Sequence, residues 1–133
     1  MMNKSDINAA NDEKVTCLHV ICNQVMNNYI QCGVVEKLIL SGADVNAKDD
    51  DNRTALFNAC GVGNLELVKL LQRNGSLLDV EYTDIDGYTL LHIACSSLPP
   101  NLELIKYLIE HGFNKVINKR DMGYYNEATS HSL

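Results

Sequence analysis

The sequence predicts an all-α repeat solenoid, in which helix-turn-helix pairs stack side by side and β-hairpin fingers project from the junctions. Three observations carry that expectation. Thr16-Cys17-Leu18-His19 is echoed by Thr54-Ala55-Leu56-Phe57 and by Thr89-Leu90-Leu91-His92. Each is followed by a small pair or its near equivalent, Ile21-Cys22, Ala59-Cys60 and Ala94-Cys95. Each unit then closes on an apolar run that ends in glycine, at Gly42, Gly75 and Gly112. The glycines lie 75 − 42 = 33 and 112 − 75 = 37 residues apart, the threonines 54 − 16 = 38 and 89 − 54 = 35. Self-similarity at a period near ~33 residues marks units that cannot bury an apolar face alone and must stack on their neighbours.

The elements follow in order. Residues 6–15 form a partial finger, because Asp6-Ile7-Asn8-Ala9 reads as the tail of a preceding unit. Helix pairs are expected over about residues 15–42, 54–75 and 89–112, followed by a partial finger at 114–125. All of this makes one domain over residues 1–126, and residues 127–133 form a polar tail. Thr16, Thr54 and Thr89 stand at N-caps, where a hydroxyl satisfies an orphan N–H of the first turn. Leu56, Ala59 and Cys60 share one face of a short helix, and Leu67, Val68, Leu70 and Leu71 turn the next helix toward a core. The glycines mark helix ends that need a left-handed residue. The first unit has about five extra residues within Asn23 to Cys32, the third has two around Pro99 and Pro100, and the finger after Gly75 is about two longer, over Leu77 to Thr83. Such insertions are expected in loops.

Gly42-Ala43-Asp44-Val45-Asn46-Ala47 follows the first helix pair without a gap. With the three Thr-led motifs, this segment makes the chain resemble the ankyrin-repeat family from about Asp6 to Asp121. The resemblance implies buried imidazoles at His19 and His92 that bond back to the threonine region. It also implies a concave face, built of fingers and first helices, that binds another protein. Carried onto this sequence, the family's variable positions are Asp12, Glu13 and Val15 in the first finger, and Asp50, Asp51 and Arg53 in the second, with Gly61 and Val62 at the end of the first helix. In the third they are Ile85, Asp86 and Tyr88, with Ser96 and Ser97. Met122, Tyr124 and Tyr125 belong to the last finger. Asn46, with Leu38 eight residues before it and Asp44-Val45 adjacent, resembles the motif that asparaginyl hydroxylases accept.

Charge and composition bound the function. The net charge of −6 excludes a non-specific nucleic-acid binder and an anionic-membrane binder, both of which need a basic face. The polar, acidic start of the chain lacks the pattern of a signal peptide, and no apolar stretch nears the ~20 residues of a membrane span. These features point to the cytoplasm or nucleus. Five cysteines without zinc-site spacing read as core residues in a reducing compartment, with Cys22, Cys60 and Cys95 inside the stack and Cys32 in a long loop. No nucleophile elbow, phosphate-binding loop or zinc-protease motif is present, so no enzymatic activity, metal or cofactor is expected. Asp49-Asp50-Asp51 forms one acidic tip and Asp84 with Asp86 another; Lys115, Lys119 and Arg120 make the last finger basic. The expected function is a protein-interaction module, an adaptor or inhibitor, whose partner presents a basic segment. A short decoy resembling the inhibitors of Rel-type transcription factors, or a microbial or viral effector, are the alternatives. Weak self-association is expected at uncapped repeat ends, where Leu104, Ile105, Leu108 and Ile109 are predicted to lack cover.

Overall fold

A computed structural model describes residues 4–79 and 81–113. The helices are α1 (Lys4–Ile7), α2 (Cys17–Cys22), α3 (Asn28–Leu40), α4 (Ala55–Val62), α5 (Leu65–Arg73), α6 (Leu90–Cys95) and α7 (Leu102–Leu108), which runs into a π-helical turn over Ile109–Phe113. They form the expected stack. First helices pack in a row, α2 on α4 and α4 on α6, and behind them α3 packs on α5. α7 is tied to α5 by the Tyr107 hydroxyl donating to Gln72 Oε1 at 2.7 Å. That bond gives Gln72 a reason to stand where an apolar residue is usual. Leu18, Leu56, Leu67, Val68, Leu71 and Leu104 fill one continuous core.

Local sequence accounts for the helix ends. Thr16 and Thr89 each accept from the N–H three residues on, and the histidines at those positions, His19 and His92, accept from the threonine N–H, which completes a capping box. Thr54 makes no such side-chain bond: the N–H of its N3 residue, Phe57, donates to the Thr54 carbonyl at 3.0 Å, and the Phe57 ring packs edge-on against Tyr82 at 5.8 Å. The second helices of the first two units close identically. Gly42 donates to Ile39 and Ala43 to Leu38, as Gly75 does to Gln72 and Ser76 to Leu71. Both glycines are left-handed, at φ 104° and 103°, which a side chain would strain. Gly112 differs: it lies inside the π-helical turn rather than beyond a finished helix.

The first-unit insertion departs from expectation. Only Asn23 to Asn27 remain outside helices; the other extra residues lengthen α3 by a turn. Asn64 Nδ2 donates to Gln31 Oε1 at 2.9 Å, which sets α3 against α5 in a register of 64 − 31 = 33. Leu65, the first residue of α5, is thus level with Cys32, and Asn28 to Gln31 overhang. Asn27 caps the added turn by accepting from Ile30 N–H at 3.1 Å. In the later units the equivalent residue is itself the cap, Asn64 or Asn101. Here a longer glutamine inside the helix takes over the tethering role. Gln31 is buried, and its Nε2 donates to the carbonyls of Ile21 at 2.7 Å and Gln24 at 2.9 Å.

Other expectations need correction. The fingers are too short for paired strands: among the described residues they show one isolated bridge, Ala10 with Thr16. Leu104 and Leu108 are buried and Ile105 is half-buried, so the apolar residues that the third pair exposes are mainly Leu98, Leu102 and Ile109. Cys32 sits on α3, half-buried, and not in a loop. Cys22 and Cys60 lie in the core, where burial pushes each thiol up to about 12. Cys95 is exposed, since no described helix packs beyond α6 to cover the position that α6 covers on α4. A thiol reagent is therefore expected to modify Cys17 and Cys95 first, Cys32 more slowly, and Cys22 and Cys60 only as the stack opens. Peptide mass spectrometry over a labelling time course measures this; five equal rates would contradict the packing.

Candidate functional site

Each finger is built around one short side chain. Asn11 Oδ1 accepts from the N–H groups of Glu13 and Val15, at 2.9 and 3.0 Å. Asp49 Oδ1 does the same for Asp51 and Arg53, both at 2.9 Å, and Asp84 Oδ1 for Asp86 and Tyr88, at 3.0 and 2.9 Å. Short polar side chains that bond their own backbone a few residues on are turn-formers. The chain turns through a left-handed residue in every case, Lys14, Asn52 or Gly87. The tips are then tied to one another: Asp50 donates to Glu13 O and Ile85 to Asp51 O, both at 2.9 Å. Three fingers thus form one row with fixed spacing.

The finger bases are joined by asparagines. Asn8 Nδ2 donates to Gly42 O at 3.0 Å and its Oδ1 accepts from Asp44 N–H at 2.7 Å. Asn46 repeats this one unit on, with Gly75 O at 3.0 Å and Leu77 N–H at 3.1 Å. His19 joins helix to finger. Its Nδ1 accepts from Thr16 N–H at 3.1 Å, so the proton resides on Nε2, which donates to Arg53 O at 3.0 Å. His19 is buried as expected, whereas His92 is exposed.

The candidate residues separate into groups on this frame. Asp12, Glu13, Asp50, Asp51, Ile85 and Asp86 are exposed along the tips. Tyr88 is 48% exposed, its ring edge-on to His92 at 5.8 Å. Ser96 is exposed at the end of α6, its hydroxyl donating to His92 O. Arg53 is partly occupied: its Nε and Nη2 meet Asp84 Oδ2 at 2.9 and 2.8 Å. Val62 is half-buried and lines a separate hollow with Met26, Gln31 and Asn64. Ser97 is buried and serves the stack, donating to Gly61 O at 2.9 Å. Met122, Tyr124, Tyr125, Lys115, Lys119 and Arg120 lie outside the described residues. Behind the first two fingers is a hollow of about 270 Å³, lined by Val15, Val20, Asn23, Asp51, Arg53 and Asn58.

Asp84 is the main correction. It is no acidic tip but a buried carboxylate, 3% exposed. Burial alone would push its pKa up. The N–H groups of Tyr88 and Asp86 and the Arg53 guanidinium outweigh that and hold it below 3.8. Its structural role was legible in one overlooked signal. Asn11, Asp49 and Asp84 each stand five residues before Thr16, Thr54 and Thr89, and so repeat with the units.

No cluster of metal-ligating side chains occurs among the described residues. No described helix is long and apolar enough to cross a membrane. The family model described as Ankyrin repeats (3 copies) matches residues 24–121. Human SMC5-SMC6 complex localization factor protein 1 is 31% identical over 121 residues, which is 91% of this chain and 11% of that protein. Ankyrin repeat and KH domain-containing protein mask-1 of Caenorhabditis elegans is 34% identical over 66% of this chain and 3% of its own length. Mouse protein phosphatase 1 regulatory subunit 27 is 44% identical over 46% of this chain and 37% of its own. The chain thus spans only a small part of the first relatives. Ankyrin repeats are generally protein-interaction modules and typically not enzymes. In its repeats, its caps and its tied fingers, this chain belongs to the ankyrin-repeat family.

Proposed function

We propose that this chain binds a protein partner along its finger row, and that the partner presents a basic segment. The observation that supports this most is the charge of the row. Asp12, Glu13, Asp50, Asp51 and Asp86 are all exposed on tips held in register by backbone bonds. Lys14 is the one exposed cation at the first tip, and Arg53 is committed to Asp84. An acidic row of this kind steers a cationic segment to the surface. Tyr88 and Ile85 supply an apolar anchor at its third finger, and the polar hollow behind the fingers accepts side chains from the bound segment. Masking of a basic localisation sequence in the cytoplasm or nucleus would use this chemistry.

A random peptide display selection against the chain tests the proposal. Selected peptides should be enriched in Lys and Arg, and Tyr88→Ala should speed their dissociation by roughly tenfold, a loss of about 1–2 kcal/mol. Peptides without cationic enrichment would overturn it.

Asn46 is a proposed substrate for an asparaginyl hydroxylase. Both ends of its amide already hold the next finger. The enzyme must therefore open that finger, while a hydroxyl added at Cβ leaves the amide bonds available. Incubation with such a hydroxylase, with dioxygen as the source of the oxygen atom and a 2-oxo acid co-substrate that is oxidised by the second atom, should add one oxygen to the Asn46 peptide, faster in a destabilised variant than in the native chain; an unchanged peptide mass in both rules it out.

A further inference from the structure

The outer helices carry a surface that the finger row leaves unused. The added turn of α3 overhangs α5, and its two middle side chains are apolar yet open to solvent: Tyr29 is 88% exposed and Ile30 53%. Val25, just before it, is 90% exposed. Beside this ridge, α3 and α5 border an open groove of about 980 Å³ whose lining includes Tyr29, Ile30, Gly33, Val34 and Leu70. Scattered apolar residues on a surface need no explanation, but an apolar ridge adjoining an apolar groove does.

Gly33 sits inside α3, where glycine weakens a helix relative to alanine. Nothing in the fold requires it. It is not left-handed, and a Cβ placed there would meet no atom within 4 Å. What the missing side chain provides is access for an outside group to come close to the α3 backbone, on the wall of the groove.

The charges at the rim indicate the occupant. Glu66 in the first turn of α5 and Arg73 in the last both line the groove. Seven residues apart, they share one side of the helix and lie about 10 Å from each other. Glu36 and Lys37 on α3 offset one another. Opposite charges two turns apart on one face match each other when that face is turned about a two-fold axis. Self-complementarity of that kind is the property of an isologous dimer interface.

We propose that this face docks a second copy of the chain. Glu66 of each copy faces Arg73 of its partner. Because Glu66 is level with Gly33 and Arg73 with Leu40 in the register of α3 on α5, the same two-fold axis seats the exposed Leu40 of each copy in the α3–α5 groove of the other, over Gly33. The finger row stays free on both copies.

Sedimentation of the whole chain over a concentration series tests this. The weight-average mass should rise from 14.8 kDa toward twice that value. Gly33→Gln replaces glycine by a better helix former in open space, so its melting temperature should hold or rise. Its association should nevertheless weaken at least ~10-fold, because the added side chain fills the groove. Glu66→Arg and Arg73→Glu should each dissociate, while an equimolar mixture of the two should associate again, since opposite charges then face each other at both ends. A chain that stays monomeric at every concentration overturns the proposal and leaves the face to a different protein. So does a Gly33→Gln variant that associates like the wild type, or a charge-swapped pair that fails to recombine.

Discussion

Replacing Gln31 by Leu is expected to cost about 3 kcal/mol of stability, although the side chains are similar in size and the site is buried. The substitution removes three partners at once: the carbonyls of Ile21 and Gln24 and the Asn64 amide that donates to Gln31 Oε1. Each becomes an under-satisfied polar group beside the core, at roughly 1–3 kcal/mol apiece before relaxation. Because Gln31 holds the α2–α3 loop and fixes the register of α3 on α5, the loss should loosen the first unit before the others. Hydrogen exchange should show protection falling over α2 and α3 more than over α4 and α5, and the urea midpoint should drop. A variant as stable as the wild type would mean that these bonds are replaced by water without loss.

Asp84→Asn is expected to destabilise the chain by about 2 kcal/mol at neutral pH, as the neutral amide keeps an acceptor for the Asp86 and Tyr88 N–H groups but leaves the Arg53 guanidinium without its counter-charge. The effect depends on pH in a determined direction. The Asp84 pKa is lower in the folded chain than its ordinary 3.8. The carboxylate therefore stabilises the fold fully above about pH 4, and that contribution fades as the pH falls through the lower folded value. Wild type and Asp84→Asn should differ most near neutral pH, and the gap should shrink as the pH falls below 3.8 and through the lower folded value, as urea melts over a falling pH series measure. A gap that widens in acid would contradict the assignment of Asp84 as an ionised latch.

Much of the architecture was legible because it repeats. Thr16, Thr54 and Thr89 located the first helices, and Gly42 and Gly75 ended the second helices where the left-handed residues are. What resisted was whatever depends on a partner far along the chain. The Asn28 to Gln31 turn looks like a loop insertion until Asn27 is seen to cap it and Gln31 to tether it. Asp84 reads as one more surface acid beside Asp86; its repeat with Asn11 and Asp49 marks it as a turn-former, but its burial beneath Arg53 depends on a side chain 31 residues away. Cys95 matches Cys22 and Cys60 in position but lies on the outermost first helix among the described residues, so the same residue type faces solvent. The exposed finger row itself was readable, since Asp12, Glu13, Asp50, Asp51 and Asp86 fall on turns whose geometry is local.

The proposed role of that row is tested most directly by association kinetics at two ionic strengths, using a selected basic peptide and three proteins: wild type, Asp50→Lys with Asp51→Lys, and Lys106→Ala on the opposite helix layer. Exposed charges act mainly on encounter and are screened beyond about 8 Å at physiological salt. The account predicts that the finger variant associates at least ~10-fold more slowly at low salt, that the difference shrinks at high salt, and that Lys106→Ala behaves as wild type. Loss of binding in Lys106→Ala, with the finger variant unaffected, would place the partner on the other side of the stack and contradict it.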